Sequence, residues 1–476
     1  MIGSLLEVVA WVALVYLVLV AGSQVIIIGS AALSLRSYHL TAAVDRRQWV
    51  LSSPLAPRIT VLAPAHNEEA SVVESVRSLL ALSYPRLEVA LVNDGSGDGT
   101  MAVLRHAFGL VPVPLVHRNA LRSARIRGLY RSRDYPELLV IDKDNGGKAD
   151  ALNAALNCAS GDLVCVIDAD TIIETDALLR MVGPFLNRDD IVAAGGTVGV
   201  VNGCEVNHGR VVSVAAPRRF LVGSQAIEYM RAFLFGRLGW NRLGGNLIIS
   251  GAFGLFRRQA IIDIGGYNTG TVGEDMELVV ALRRHARRTG GPDRVEFVPD
   301  PVAWTEVPST LGGLRRQRDR WHRGLADVLH RHAGMIGNPR EGALGLMVAP
   351  YFLIVELLAP VAEAFGIIAV LVGLMMGAVD VSFAVLFFTA AYGFGVLINL
   401  AVLILEQAGF DRYRRRSDKA RLVLWAFTEG ILFRPLTLGW RLLGLWRHLR
   451  GHQDWGAVRR QGFTGVPSPV QERSTI

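Results

Sequence analysis

The run Val166-Ile167-Asp168-Ala169-Asp170 ends an apolar stretch on two carboxylates one residue apart. Oxygen ligands at that spacing suit one hard cation, Mg²⁺ or Mn²⁺, which would bridge to a diphosphate and stabilise its departure; the ordinary alternative is an Asp-rich turn after a strand. Glu274 and Asp275 open a helical stretch. Acids favour a helix N-terminus in any case, yet one of these two is placed to act as a general base toward a hydroxyl. Lys148 follows Gly146-Gly147 at the start of another helical stretch, where an ammonium and a helix N-terminus act together on a phosphate. It is not a P-loop lysine, because Ala149 stands where Ser or Thr is needed. Gln317-Arg318-Asp319-Arg320-Trp321 lies in a basic amphipathic stretch, residues 311–332. A charged interfacial helix is one reading. The other is an anionic diphosphate beside a sugar ring, with guanidinium forks for the phosphate and an indole face for the pyranose. Two further segments are weaker. LAPAHNEE (62–69) is an ordinary capped turn. VNDGSGDGT (92–100) is a glycine-rich turn in which Asp94 and the backbone suit a nucleotide. Neither is GxGxxG, so the dinucleotide fingerprint is missing.

These groups need elements to position them. Strand-like runs occur at 59–64, 87–94, 137–142 and 162–170, with helical stretches at 69–82, 148–159 and 175–186. Strands alternating with helices imply an α/β domain with a mostly parallel sheet covered on both faces. Chemistry in such sheets gathers at the C-terminal strand ends, which is where Asp94, Asp168 and Asp170 fall.

The remainder of the chain is of another kind. Of 476 residues, 51% are hydrophobic and 19% charged, with a net charge of +8 and a mean hydropathy of +0.33. That excludes intrinsic disorder and points to membrane segments. Residues 5–29 are long enough to span a bilayer, and the arginines follow the run instead of preceding it. The expectation is therefore an anchor, not a cleaved signal, with the N-terminus outside and the next domain cytoplasmic. Residues 343–379 are too long for one straight span, 381–405 form a cleaner one, and the basic loop 411–421 marks a cytoplasmic side. Residues 422–449, interrupted by Arg434, Pro435 and Arg441, read as an interfacial or re-entrant element. The expected organisation is an anchor (1–35), a cytoplasmic domain with interfacial helices (36–335), membrane and interfacial helices (343–450) and a cytoplasmic tail (451–476), in a multi-pass protein of the cell (inner) membrane. Three cysteines form no disulfide framework. The positive balance fits a membrane face better than a nucleic acid, and no nucleic-acid partner is expected.

In order, HNEE, NDGSGDGT, GGKADALN, DAD, SGAFGLFRR, GED and QRDRW resemble the motifs of the processive family-2 glycosyltransferases, which include the cellulose, chitin, hyaluronan and poly-N-acetylglucosamine synthases. The resemblance spans residues 58–323 and implies a GT-A-type nucleotide-sugar-binding domain. By the same resemblance, Glu68 and Asp94 touch the uridine of a UDP-sugar and Lys148 lies near the diphosphate. Asp168 faces the nucleotide and Asp170 ligates the metal. Ser250, Gly251 and Phe253 belong to the strand lining the acceptor site. Asp275 is the base, with Glu274 beside it, and Gln317, Arg318, Arg320 and Trp321 close over diphosphate and acceptor sugar. Gly273 departs from the common Thr, and the single N-terminal span departs from relatives with two. The implied reaction is inverting transfer from a UDP-sugar, UDP-N-acetylglucosamine first, to a growing polysaccharide passed across the bilayer. A small accessory membrane protein is a candidate partner. The wording looks most like the poly-β-1,6-N-acetylglucosamine synthases; chitin-, hyaluronan- or cellulose-type specificity and a one-sugar glycolipid transferase are the alternatives. A catalytically dead scaffold is disfavoured, because Asp168, Asp170 and Asp275 are all present.

Overall fold

The computed structural model describes residues 2–42, 47–168, 171–207 and 209–451. Its centre is a ten-stranded sheet. The strands are β1 (Ile59–Ala65), β2 (Leu87–Asp94), β3 (Leu110–Val113), β4 (Ile126–Ser132), β5 (Leu138–Lys143), β6 (Leu163–Ile167), β7 (Ile172–Ile173), β8 (Ile191–Val200), β11 (Phe253–Arg257) and β12 (Arg294–Thr305); β9 (Glu205–Asn207) and β10 (Arg210–Ser213) form a separate ribbon. The order is β3-β4-β5-β2-β1-β6-β11-β8-β12-β7. The central β5, β2, β1 and β6 run parallel, and β4, β11 and β7 run against them. The mostly parallel α/β core expected from the alternation of elements is present. Strands β4, β8 and β12 carry little sequence signal of their own and complete the sheet.

Period-two alternation divides the core. On β1, Ile59, Val61, Ala63 and Ala65 enter one apolar cluster, and Leu62 enters the cluster on the opposite face. On β6, Leu163, Cys165 and Ile167 oppose Val164 and Val166 in the same way. The helix Lys148–Cys158 lies on the second face with Ala149, Ala151, Ala154 and Ala155 buried, so small side chains bring its axis close to the strands. The expected helix at 69–82 runs Val72–Leu80, and that at 175–186 divides into Ala177–Met181 and Gly183–Asn187.

Among the described residues, three helices are long and apolar enough to cross a membrane: Val18–Leu40, Val381–Gly409 and Arg416–Leu449. Leu344–Leu357 and Ala359–Met375 form a pair bent by 43°. The bend agrees with the expectation that 343–379 is not one straight span. The segment 422–449, read as interfacial or re-entrant, lies within the apolar helix Arg416–Leu449. Arg434 pairs with Glu363 at 3.1 Å, and Arg441 donates to the Glu356 carbonyl at 2.8 Å. Pro435 stands in the first turn of Arg434–Leu449, just after a π-helical turn at Glu429–Phe433. The polar interruptions are satisfied internally, and the segment remains helical. The tail 452–476 lies outside the described residues.

The N-terminal helix Ile2–Ala42 docks on the catalytic domain. Ser30 Oγ donates to the Gly239 carbonyl at 2.6 Å. A Cβ on Gly239 would stand 2.5 Å from Ile27 Cγ2 and 2.6 Å from the Ile27 carbonyl oxygen. Gly239→Val should therefore destabilise the protein by about 1–3 kcal/mol through overpacking. Gly236→Ala, where the nearest atom is 3.8 Å away, should stay near wild type. Thermal unfolding in detergent compares the two, and equal midpoints would contradict the tight docking.

Candidate active site

The C-terminal edge of the parallel strands gathers three loops. Ala65 of β1 lies opposite Asn93 of β2, so the segments after them leave side by side and interlock. Asn67, in a left-handed conformation (φ 56°), accepts from the Gly97 amide at 2.8 Å, and its own amide donates to Ser96 Oγ at 3.0 Å. The Glu68 amide donates to Thr100 Oγ1 at 2.9 Å, and the Glu68 carboxylate accepts from Ser71 Oγ at 2.6 Å. The Glu69 carboxylate accepts from the Gly99 amide at 3.0 Å.

Beneath these loops lies a bracing ion pair that sequence reading missed. Register places Asp94 beside Lys143, and the buried Lys143 ammonium sits 2.5 Å from Asp94 and 2.7 Å from Asp150. Asp94 also accepts from the amides of Gly146 and Gly147, at 3.0 and 2.8 Å. Gly147, at φ 85°, turns the chain into the helix that Lys148 begins. Asp94 is buried. Its carboxylate holds the turn that presents Lys148, which is the role its geometry shows.

Lys148 lies at the centre of the site. Its ammonium is 2.6 Å from Asp168 at the end of β6 and 3.5 Å from Glu274 at the start of the helix Glu274–Thr289. The neighbouring Asp275 accepts from the Gly251 amide at 3.3 Å and from the Met276 amide at 2.8 Å. Lys148, Ser250, Gly251, Tyr267, Glu274 and Asp275 line a small pocket. Burial opposes the Lys148 charge, but Asp168, Glu274 and Asp275 outweigh it and hold the ammonium above its ordinary pKa. Burial pushes the Glu274 carboxyl up; Lys148 opposes this, Asp275 reinforces it, and the net shift is upward. Asp275 is less buried than Glu274.

Phe253 requires correction. It is fully buried on β11 within the apolar cluster beneath the site, so it supports the Ser250-Gly251 turn from below and does not line the pocket. Asp170 lies outside the described residues. Among the described residues no group of three or more His, Cys, Asp or Glu is arranged to hold a metal. The Asp168 carboxylate at the end of β6 is an oxygen donor of the kind a hard cation takes.

The remaining predicted residues lie on the helix Leu311–Arg331, capped where Thr310 Oγ1 accepts from the Gly313 amide. Its buried face, with Arg318, Asp319, His322 and Arg323, packs on Arg434–Leu449. There Gly444 lies so close that a Cβ would meet the Asp319 carbonyl at 2.9 Å. Trp321 is 44% exposed. Gln317 Oε1 is buried with no hydrogen-bond partner among the described residues, and Arg320 is half-buried. Arg318 departs from expectation. Its guanidinium pairs through one nitrogen with Glu228 at 2.6 Å and lies over the Trp321 ring at 4.4 Å, so part of its fork is held within the protein. Glu228, Tyr229, Tyr267 and Lys143 stand in or under the site without a motif to announce them.

A model described as "Glycosyltransferase like family 2" matches residues 57–324. Poly-beta-1,6-N-acetyl-D-glucosamine synthase of Staphylococcus aureus (strain COL) is 29% identical over 274 residues, covering 57% of this chain and 56% of the relative. The synthase of the same name from Staphylococcus epidermidis is 28% identical over the same shares. The match thus spans about half the length of these curated relatives. Among solved structures, a mannosyltransferase from Pyrobaculum calidifontis in complex with GDP-Man and Mn²⁺ is 20% identical with a TM-score of 0.49, covering 86% of this chain and 99% of that one. S. aureus TarS 1-349 in complex with UDP is 15% identical with a TM-score of 0.38, covering 79% and 91%.

The raised Glu274 carboxyl has a measurable sign. A carboxyl whose folded pKa exceeds its unfolded value contributes stability that is complete below the unfolded pKa, near about 4.3 for Glu. That stability is lost as pH rises through the folded pKa. Glu274→Gln should therefore flatten the fall in melting midpoint as pH increases from that value. An unchanged slope would assign the titration to another group.

Proposed function

The chain belongs to the family-2 glycosyltransferases, and from that premise we propose that it is an inverting, processive synthase that polymerises a UDP-sugar, UDP-N-acetylglucosamine first, into a β-linked polysaccharide. The observation that carries the reading is a pocket lined by Lys148, Gly251, Glu274 and Asp275, with Asp168 reaching the Lys148 ammonium at 2.6 Å. In this reading an acceptor hydroxyl gives its proton to Asp275, whose carboxylate is steadied by the Gly251 and Met276 amides and keeps some exposure toward the pocket. The hydroxyl oxygen attacks the anomeric carbon from the face opposite the UDP, so an α-linked donor yields a β-linked product. The C–O bond to the β-phosphate breaks, and its electrons remain on UDP. Lys148 and Arg320 offset that charge. A Mg²⁺ or Mn²⁺ held by Asp168 and Asp170 would neutralise more of it. Trp321 offers the exposed indole face that a pyranose stacks on.

Helices long and apolar enough to cross a membrane lie on both sides of the catalytic domain in sequence, which supports passage of the growing chain through the bilayer. The Arg-rich loop 411–421 supports a cytoplasmic catalytic domain.

Asp275→Asn keeps the shape and removes the proton acceptor. Turnover should fall about 10²–10⁴-fold, while UDP affinity by calorimetry stays close to wild type. A near-normal rate would move the base elsewhere, with Glu274 first. EDTA should abolish turnover and Mg²⁺ or Mn²⁺ restore it; undiminished activity of Asp170→Ala in metal-free buffer would overturn the metal assignment. Product sizing with limiting donor separates a synthase, which makes long chains while most primers stay short, from a glycolipid transferase, which adds one sugar to each.

A further inference from the structure

An indole as exposed as Trp321 has several rotamers open to it unless its neighbours choose one. Here the neighbours are specific. Arg318, one turn earlier on the same helix, lays its guanidinium over the indole with Cζ 4.4 Å from the ring centroid. Arg318 is only 4% exposed, and Glu228 grips it from the helix Phe220–Met230 at 2.6 Å. The Phe433 ring stands 6.0 Å from the same guanidinium. Tyr229, adjacent to Glu228, brings its ring centroid 6.3 Å from that of Trp321. Two consecutive residues of one helix thus reach the indole, one directly and one through a guanidinium.

We infer that Glu228 is a positioning residue for the transfer reaction: by holding Arg318 flat against Trp321, it fixes the plane of the indole and so the seat of the acceptor sugar. The inference rests on the reading of Trp321 as the acceptor platform. A carboxylate–guanidinium bond is directional, and a cation–π contact holds only while the cation stays over the ring face. Without Glu228, Arg318 keeps its charge in a buried place and turns toward another oxygen, and the indole loses the face it rests on. One Glu228 carboxylate oxygen accepts from Arg318 at 2.6 Å, and through this bond Glu228 acts on Trp321. Phe433 belongs to the π-helical turn within Arg416–Leu449, so the seat is set partly from the membrane side.

The test uses the full chain in detergent, UDP-N-acetylglucosamine as donor, and a β-linked N-acetylglucosamine pentamer as primer. Glu228→Gln should lower kcat/KM for the primer roughly three- to tenfold, the range a lost cation–π contact allows, and shorten the product, with UDP affinity unchanged. Trp321→Ala should show a primer defect at least as large, and adding Glu228→Gln to it should bring no further loss, because both changes act through one indole. Arg318→Lys keeps the charge for Glu228 but loses the flat stack and should repeat the primer defect; it carries the test if Glu228→Gln does not fold. A Glu228→Gln enzyme that uses primer normally while Trp321→Ala does not would overturn the inference and leave the platform reading intact. So would a Glu228→Gln loss that adds in full to that of Trp321→Ala, or one that lowers UDP affinity equally. A Trp321→Ala enzyme with normal primer use would overturn the platform reading itself.

Discussion

Three carboxylates gathered near one point repel each other, and they stay together because a single ammonium stands among them. Lys148 supplies it, at 2.6 Å from Asp168 and 3.5 Å from Glu274. Asp168 comes from the end of β6, Lys148 from the first residue of one helix, and Glu274 with Asp275 from the first turn of another. The attraction therefore draws three separate elements to one point. It is strong because the groups are partly removed from water, where charge interactions are weakly screened. Every other feature of the site serves to keep that ammonium where it is. The Gly147 turn aims it, Asp94 holds the turn, and Lys143 neutralises Asp94 from below against Asp150. Charges alternate in sign from the floor of the domain to the pocket.

Buried charge on the membrane side obeys the same rule with different partners. Arg231 pairs with Glu429 at 3.3 Å and donates to Asn399 at 2.7 Å. The more exposed Arg434 pairs with Glu363 in the same way. Ionisable groups among apolar helices are tolerated only when they meet one another or a backbone carbonyl, and these do. The polar residues that break the hydropathy of 416–449 are the ones that bind its neighbours.

Much of this was legible in the chain. Asp168, Glu274, Asp275 and Lys148 could be picked out because each ends or begins an element, and a strand end or helix start is visible from a few residues of pattern. Trp321 could be picked out because an aromatic among arginines is unusual. What could not be read depends on partners distant in sequence. Lys143 looks like any strand-end lysine until register sets it beside Asp94. Glu228 lies in an apolar helix, 90 residues from the arginine it holds. Phe253 looked like part of a motif, yet alternation along β11 turns it inward. The partners of Arg434 and Arg441 could not be read either, because hydropathy counts an arginine the same whether or not a carboxylate or carbonyl awaits it.

Glu228 and Arg231 stand one helical turn apart. Glu228 holds the catalytic helix through Arg318, and Arg231 holds two membrane helices through Asn399 and Glu429. The same short rod is thus bolted at both ends. Such a joint constrains heredity as well as geometry. A gene fusion that joined this catalytic domain to the apolar helices of a distant relative would strand Arg231 without Asn399 and Glu429. A drift at Arg231 has to be answered on the other side of the joint. The enzyme and its membrane frame therefore evolve as one inheritance, although the sequence lays them out as separate blocks.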